Sequence, residues 1–223
     1  PQLPDRVAAR AALDVEGRRV LSLLGHIIKR RGHELVIEAL AQLPEDVIVL
    51  IVGKPIDGRD WLIERYRATA VRHGVAERVR FTGYVSDAVL QQVLVATDVA
   101  LCPYRSMSAS GALATLISAG RPIVSSDLPQ LRELGAMSPG AFRFFSPYRS
   151  EALAPAIAAA LEQAHDEPDP QVQALARRLS TARIMDRYLG IYRAAATTHR
   201  DRPRALGPRG GRSPRPSRGS PPA

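Results

Sequence analysis

Cysteine and aromatic residues are scarce in this chain of 223 residues, which has one Cys, one Trp, four Phe and six Tyr. A single cysteine excludes an internal disulfide framework and fits a reducing compartment, so a cytoplasmic location is expected. It is Cys102, inside the strand-like run VALCPY, and a buried, inert thiol is expected. No stretch of about 18 apolar residues occurs, so nothing reads as a transmembrane helix. No signal peptide is visible, and the sequence opens on Pro1, not Met, as expected of a fragment or a processed chain. The fingerprints G-x-G-x-x-G and G-x-x-x-x-G-K-[ST] are both missing, which argues against an NAD-type domain and a P-loop NTPase. The five histidines lack metal-ligand spacing, so no metal site is expected. His33 is expected on a helix surface, His73 near a helix end, and His165 and His199 exposed.

What the chain does have is positive charge, a net +9, with 45% hydrophobic residues. That apolar content suffices for one substantial domain. Six of the 31 basic residues crowd into 201–223, DRPRALGPRGGRSPRPSRGSPPA, against one acidic residue. This Pro/Gly/Arg/Ser-rich tail cannot bury enough surface to offset chain entropy, so disorder is expected there. It reads as a solubilising end, or as a weak contact with anionic lipid at the inner face of a membrane, or with RNA. No aromatic residues interleave the arginines, so nucleic acid is not expected as a partner. Residues 1–200 are expected to form the ordered domain.

Short apolar runs alternate with amphipathic stretches. Strands are expected at 19–24, 47–52, 79–81, 99–102, 123–125 and 142–145. The run VIVLIV at 47–52 is apolar throughout, as in a strand buried on both faces. Helices are expected at 32–42, 60–73, 87–96, after Ser108, at 128–134, at 150–163, and from about 170 to 197 with an irregularity near Ser180. Ser86 suits the cap of 87–96, and Gly74 the end of 60–73. The alternation predicts an α/β fold, a Rossmann-like, doubly wound parallel sheet of about six strands.

Four loops would then converge at the carboxyl edge of the sheet, where such folds bind ligands. The first, Gly25-His-Ile-Ile-Lys-Arg-Arg-Gly32, places Lys29, Arg30 and Arg31 ahead of a helix. Three cations there suit a diphosphate, and His26 can also donate to a phosphate oxygen. The second ends on Gly53, which permits close approach of a ligand. The third, around Gly83, Tyr84 and Val85, offers backbone groups to a base edge. The fourth is SMSASGALATLISAGRPIVSSD, from Ser106 to Asp127. There Ser108 and Ser110 are candidate helix caps, and the N–H groups near Ala109, Ser110, Gly111 and Ala112 are a candidate phosphate cradle.

In order and spacing, these loops resemble the carboxy-terminal, donor-binding domain of retaining GT-B glycosyltransferases of glycosyltransferase family 4. The similar stretches are GHIIKRRGHELVIEAL, VIVLIVG, RVRFTGYVSDAVLQQVLVATDVALCPY, SASGALATLISAGRPIVSSDLPQLREL and LSTARIMDRYLGIYRAA. The resemblance implies a nucleotide-sugar donor, UDP- or GDP-linked, transfer with retention, and neither metal nor cofactor. It implies an acceptor site on a separate amino-terminal domain, supplied in cis or in trans. The family's Arg and Lys of the first loop fall on His26 and Arg31. Its two glutamates, seven residues apart, fall on Met107 and Thr115, and its small pair before the helix on Ala109-Ser110. Three readings follow: a divergent subgroup with a serine-glycine phosphate loop, a donor-binding module that transfers poorly, or a module that has lost the donor. A nonhydrolysing nucleotide-sugar epimerase is a distant further alternative.

Overall fold

In a computed structural model, residues 4–107 and 110–200 are described, with side chains up to residue 195. Ser108, Ala109 and the 201–223 tail lie outside the described residues. The chain divides into two compact units, one ending at Ser180 and one beginning at Thr181. Six strands alternate with helices in the first unit. They are β1 (Arg19–Leu24), β2 (Val47–Val52), β3 (Val79–Gly83), β4 (Val99–Cys102), β5 (Ile123–Ser126) and β6 (Phe142–Phe145). All pair in parallel, in the order β3-β2-β1-β4-β5-β6. This is the expected Rossmann-like, doubly wound α/β sheet. The order runs outward in both directions from β1 and β4, so a crevice opens at their carboxyl ends.

Both faces of the sheet are covered, which explains the continuous apolar runs. All six residues of β2 are buried. Val47, Val49 and Ile51 point into one core, with helices α2 (His33–Leu40), α3 (Trp61–Arg72) and α7 (Ser150–Glu162). Ile48, Leu50 and Val52 point into the other. There they meet α4 (Asp87–Ala96), α5 (Gly111–Ser118), α6 (Pro129–Met137) and α8 (Pro170–Arg178). Each such side chain contributes about 1.5–3 kcal/mol by leaving water. Cys102 is fully buried between β4's neighbours, and burial pushes its thiol up to about 12.

Local signals set most boundaries. The Ser86 hydroxyl accepts from the Val89 N–H at the start of α4, and Gly74 takes φ +68 just beyond α3. The irregularity near Ser180 is a break between α8 and the helix Thr181–Arg200, α9, which belongs to the second unit. No described helix is long and apolar enough to cross a membrane.

One helix carries no amphipathic signal: α1 (Arg6–Ala12), capped by the Asp5 carboxylate, which accepts from the Ala8 N–H at 3.0 Å. It is held instead by charge. Arg6 and Arg10, one turn apart, both pair with Asp98. Arg6 also donates to the Val95 and Thr97 carbonyls, and Arg10 to that of Ala96. Arg121 also donates to Val95 O, at 3.3 Å. Three guanidiniums thus cap the carboxyl end of α4, the end where the helix dipole favours cations. Burial, then the neighbouring Arg6, brings the Arg121 guanidinium down to about 10.

His33 departs from the expected helix surface. It opens α2 but is 1% exposed, and its ring stacks on Tyr66 with centroids 5.4 Å apart. Neither ring nitrogen finds a partner among the described residues. The first turn of α2 faces α3, not solvent, so the ring is driven inward. Burial, then the charge of Arg31, lowers its pKa to about 3. The unfolded chain then binds one more proton than the native state between about pH 6.5 and pH 3, so stability must fall as pH falls through that window. The loss has a limiting slope of about 1.4 kcal/mol per pH unit from this residue. A His33→Phe variant, which keeps the stack, should show a flatter dependence of melting temperature on pH over that range. Equal slopes in parent and variant would rule this out.

Candidate functional site

The crevice between the halves of the sheet holds a cavity of about 460 Å³. The first three strands stay zipped past their ends. Gly25 N–H donates to Val52 O at 2.8 Å, Ile27 N–H to Lys54 O at 3.0 Å, and Gly53 N–H to Gly83 O at 2.9 Å. This zipper draws the first three predicted loops into one floor. Gly53 takes φ +139, and a Cβ there would lie 2.3 Å from the Gly25 carbonyl oxygen. Only glycine lets the two loops approach so closely.

Arg31 rises over this floor. Gly25, at φ +104, makes room for it: a Cβ at that position would sit 2.8 Å from Arg31 Nη1. Arg31 Nη1 donates to Leu24 O at 2.9 Å and to the Tyr104 hydroxyl at 3.2 Å. The guanidinium also stacks on the Tyr104 ring, 5.1 Å from its centroid. Both bonds use Nη1, so Nη2 and Nε have no partner among the described residues and can bind an anion side-on.

Helix α5 points its amino end at the same space. Ser110 is its cap, with the hydroxyl accepting from Leu113 N–H at 3.1 Å. Gly111, Ala112 and Thr115 line the cavity. The N–H groups of Gly111 and Ala112, in the first turn, are available to an anion, and the helix dipole reinforces them. Thr115 donates its hydroxyl proton to Gly111 O at 3.1 Å, so toward a ligand it only accepts. Met107 instead packs against the second core cluster.

The predicted residues divide accordingly. Gly25, His26, Arg31, Gly53, Tyr84, Val85, Gly111, Ala112 and Thr115 meet at one cavity. Gly83 braces its floor through the bond to Gly53. Ser110 sits one residue behind, as the cap. Ser108 and Ala109, the remaining candidates of the fourth loop, lie outside the described residues.

Lys29 is a correction. It was expected beside Arg31 on the diphosphate, but it lines a separate cavity of about 340 Å³, and its Nζ sits 5.2 Å from the centre of the Trp61 ring. The reason is local: residues 29–31 form a single 3-10 turn. With three residues per turn, successive side chains point about 120° apart. The three adjacent side chains therefore leave the turn in different directions, and Arg30 is exposed.

Other residues complete the wall without having been anticipated. Leu24, Val52 and Leu90 supply an apolar side suited to a planar ring, and Lys54 and Asp87 add charge near it. Lys54 lies just past the Val52-Gly53 strand end and Asp87 just after the Ser86 cap, both readable as loop positions at the carboxyl edge. Behind the wall, not in it, Tyr104 directly follows β4 and Pro103, at the edge that carries ligands. With Arg31 and Lys54 against Asp87, the cavity favours anions.

The geometry agrees with three comparisons. The sequence profile of the family Glycosyl transferases group 1 matches residues 18–163. A 2-deoxystreptamine glucosyltransferase of Streptomyces kanamyceticus is 27% identical over 128 residues, covering 56% of this chain and 32% of that protein. A phosphatidyl-myo-inositol mannosyltransferase of Mycobacterium leprae is 32% identical over 122 residues, covering 53% of this chain and 30% of that protein. The matches thus span about a third of these relatives' lengths. Among solved structures, Anabaena HepE in complex with UDP superposes with a TM-score of 0.72 at 21% identity, covering 88% of this chain and 54% of that one. This chain belongs to the group 1 glycosyl transferases, and its fold is that of the carboxy-terminal domain of a GT-B glycosyltransferase.

Proposed function

We propose that this chain is the donor-binding half of a retaining glycosyltransferase, which takes a sugar from a UDP- or GDP-linked donor. The observation that carries the reading is the convergence of Arg31 and the amino end of α5 on one cleft. The UDP found with HepE supports it. In such a transfer, the bond from the anomeric carbon to the diphosphate breaks, and negative charge develops on the leaving oxygen. Arg31, through Nη2 and Nε, and the N–H groups of Gly111 and Ala112 stabilise that charge. These groups are fixed before reaction, so they need no reorganisation as charge develops. His26, exposed at the cavity rim, supplies a further donor to phosphate. The apolar wall of Leu24, Val52 and Leu90 takes the base, and the Gly83–Val85 backbone its edge.

On this reading the acceptor and the second wall of the cleft come from an amino-terminal GT-B domain, in cis or in trans, and no metal or cofactor is used. The work is cytoplasmic, in keeping with the single buried cysteine. The chain by itself then binds donor and transfers little.

A second reading has an observation of its own. Among the described residues, the α5 side of the cavity presents Thr115 and no carboxylate, and Met107 turns to the core. That favours a module which holds a nucleotide sugar and supports a partner enzyme without catalysis. Calorimetric titration with UDP- and GDP-sugars tests the binding both readings share. Arg31→Ala is expected to weaken the preferred donor by about 10–100-fold, the loss of one charge-assisted contact. Unchanged affinity in Arg31→Ala would sink the diphosphate assignment. Turnover on adding the amino-terminal domain separates the enzyme from the accessory module.

A further inference from the structure

Tyr104 is absent from the wall of the donor cleft, yet it joins the two groups that make the cleft anion-binding. The residue is 2% exposed. One edge of its hydroxyl receives the Arg31 Nη1 proton at 3.2 Å. The other lies 3.4 Å from Ser110 Oγ, the cap of α5. Ser110 Oγ already accepts from Leu113 N–H, so the phenol proton can complete the link by pointing to the same oxygen. The ring underneath carries the guanidinium as a cation–π platform. Arg31 and Ser110 come from loops after different strands, β1 and β4; the Arg105 N–H ties these loops at the Arg30 carbonyl, 2.8 Å away, but that bond reaches neither the Arg31 guanidinium nor the Ser110 hydroxyl. A buried phenol bonded at both ends loses little freedom and resists displacement. Burial, then the neighbouring Cys102, raises its pKa, so the hydroxyl stays neutral and keeps its proton.

We propose that Tyr104 is a positioning residue for the donor diphosphate: it locks the Arg31 guanidinium and the amino end of α5 at the spacing that lets both address one anion. The proposal rests on reading the cleft as a nucleotide-sugar site, and it adds a residue that acts only through Arg31 and Ser110. Tyr104→Phe keeps the ring and the stack but removes the link.

The test is a titration of the whole chain with UDP and GDP by calorimetry, alongside uridine and guanosine by ligand-detected NMR. Tyr104→Phe is expected to weaken whichever diphosphate the parent binds by about 3–10-fold, the range of one net hydrogen bond. The matching nucleoside, which has no phosphate, should bind parent and variant alike. In an Arg31→Ala background, Tyr104→Phe should add less than about 2-fold, because the residue it holds is gone. A parent that binds neither diphosphate overturns the reading of the cleft and this proposal with it. A parent that binds UDP or GDP while Tyr104→Phe matches it overturns the proposal alone. So does an equal loss for the nucleoside, which would mark a general structural defect, or a full loss in the Arg31→Ala background.

Discussion

Asp98→Ala should lower the unfolding free energy by about 3–5 kcal/mol, the cost of leaving partly buried charge without its partner. Asp98 sits just before β4, with its side chain 15% exposed, and two guanidiniums, 13% and 16% exposed, converge on it. It also accepts the Val20 N–H at 2.6 Å, tying β1 to the end of α4. Removing the carboxylate leaves Arg10 without a carboxylate partner among the described residues, Arg6 with only the exposed Asp166, and the Val20 N–H without its acceptor. For a chain of this size the melting temperature should drop on the order of 10 °C, read by circular dichroism. Asp98 lies at the amino edge of the sheet, opposite the cleft. Nucleotide affinity, measured at a temperature where the fold holds, should therefore stay within about 2-fold of the parent. A loss below about 1 kcal/mol would place these pairs with ordinary exposed ion pairs and refute the argument.

Gly53→Ala should damage both stability and binding. The backbone there is at φ +139, which L side chains rarely adopt, and the new Cβ would lie 2.3 Å from a backbone oxygen that cannot move without shifting Gly25. Positive-φ strain costs roughly 1–3 kcal/mol and overpacking a further 1–3 kcal/mol, so a total of about 2–6 kcal/mol is expected. Relief requires the 25–31 loop to swing outward. Arg31 goes with it, and nucleotide affinity should fall by at least about 10-fold, a loss of roughly 1.4 kcal/mol. Gly58→Ala is the control. It has φ +75 but nothing within 4 Å of its Cβ, so it carries strain without a clash. Chemical denaturation of the two variants separates the contributions. Equal losses would show that the approach of Gly25 and Gly53 is not what demands glycine.

The strands were legible because each is buried on both faces, and burial of that kind writes itself into consecutive residues such as Val47–Val52. The capped starts of α4 and α5 were legible because Ser86 and Ser110 bond within their own first turns. Helix α1 was not, because RVAARAA has no apolar stripe and its hold is an ion pair with a residue far along the chain. The site was legible as a set of loops but not as a set of directions. Lys29 and Arg31 look equivalent in sequence, and one helical turn sends them to different cavities. His33 looks like a polar helix residue, and packing of α2 on α3 buries it.

By itself, then, the chain's pattern determined an α/β parallel sheet, its alternation with helices, and glycine- and cation-rich loops at one edge. These follow from interactions local in sequence: pleat periodicity, caps and turns. The tertiary structure alone decided which cation reaches the cleft, that Tyr104 bridges Arg31 and Ser110, and that Asp98 anchors a helix with no signal of its own. The 29–31 turn splits the cations locally, but which of them meets the cleft, the Arg31–Tyr104 bond and the hold of Asp98 on Arg6 depend on contacts between residues tens of positions apart. Their distances are set by how the strands order in the sheet, which no local pattern records.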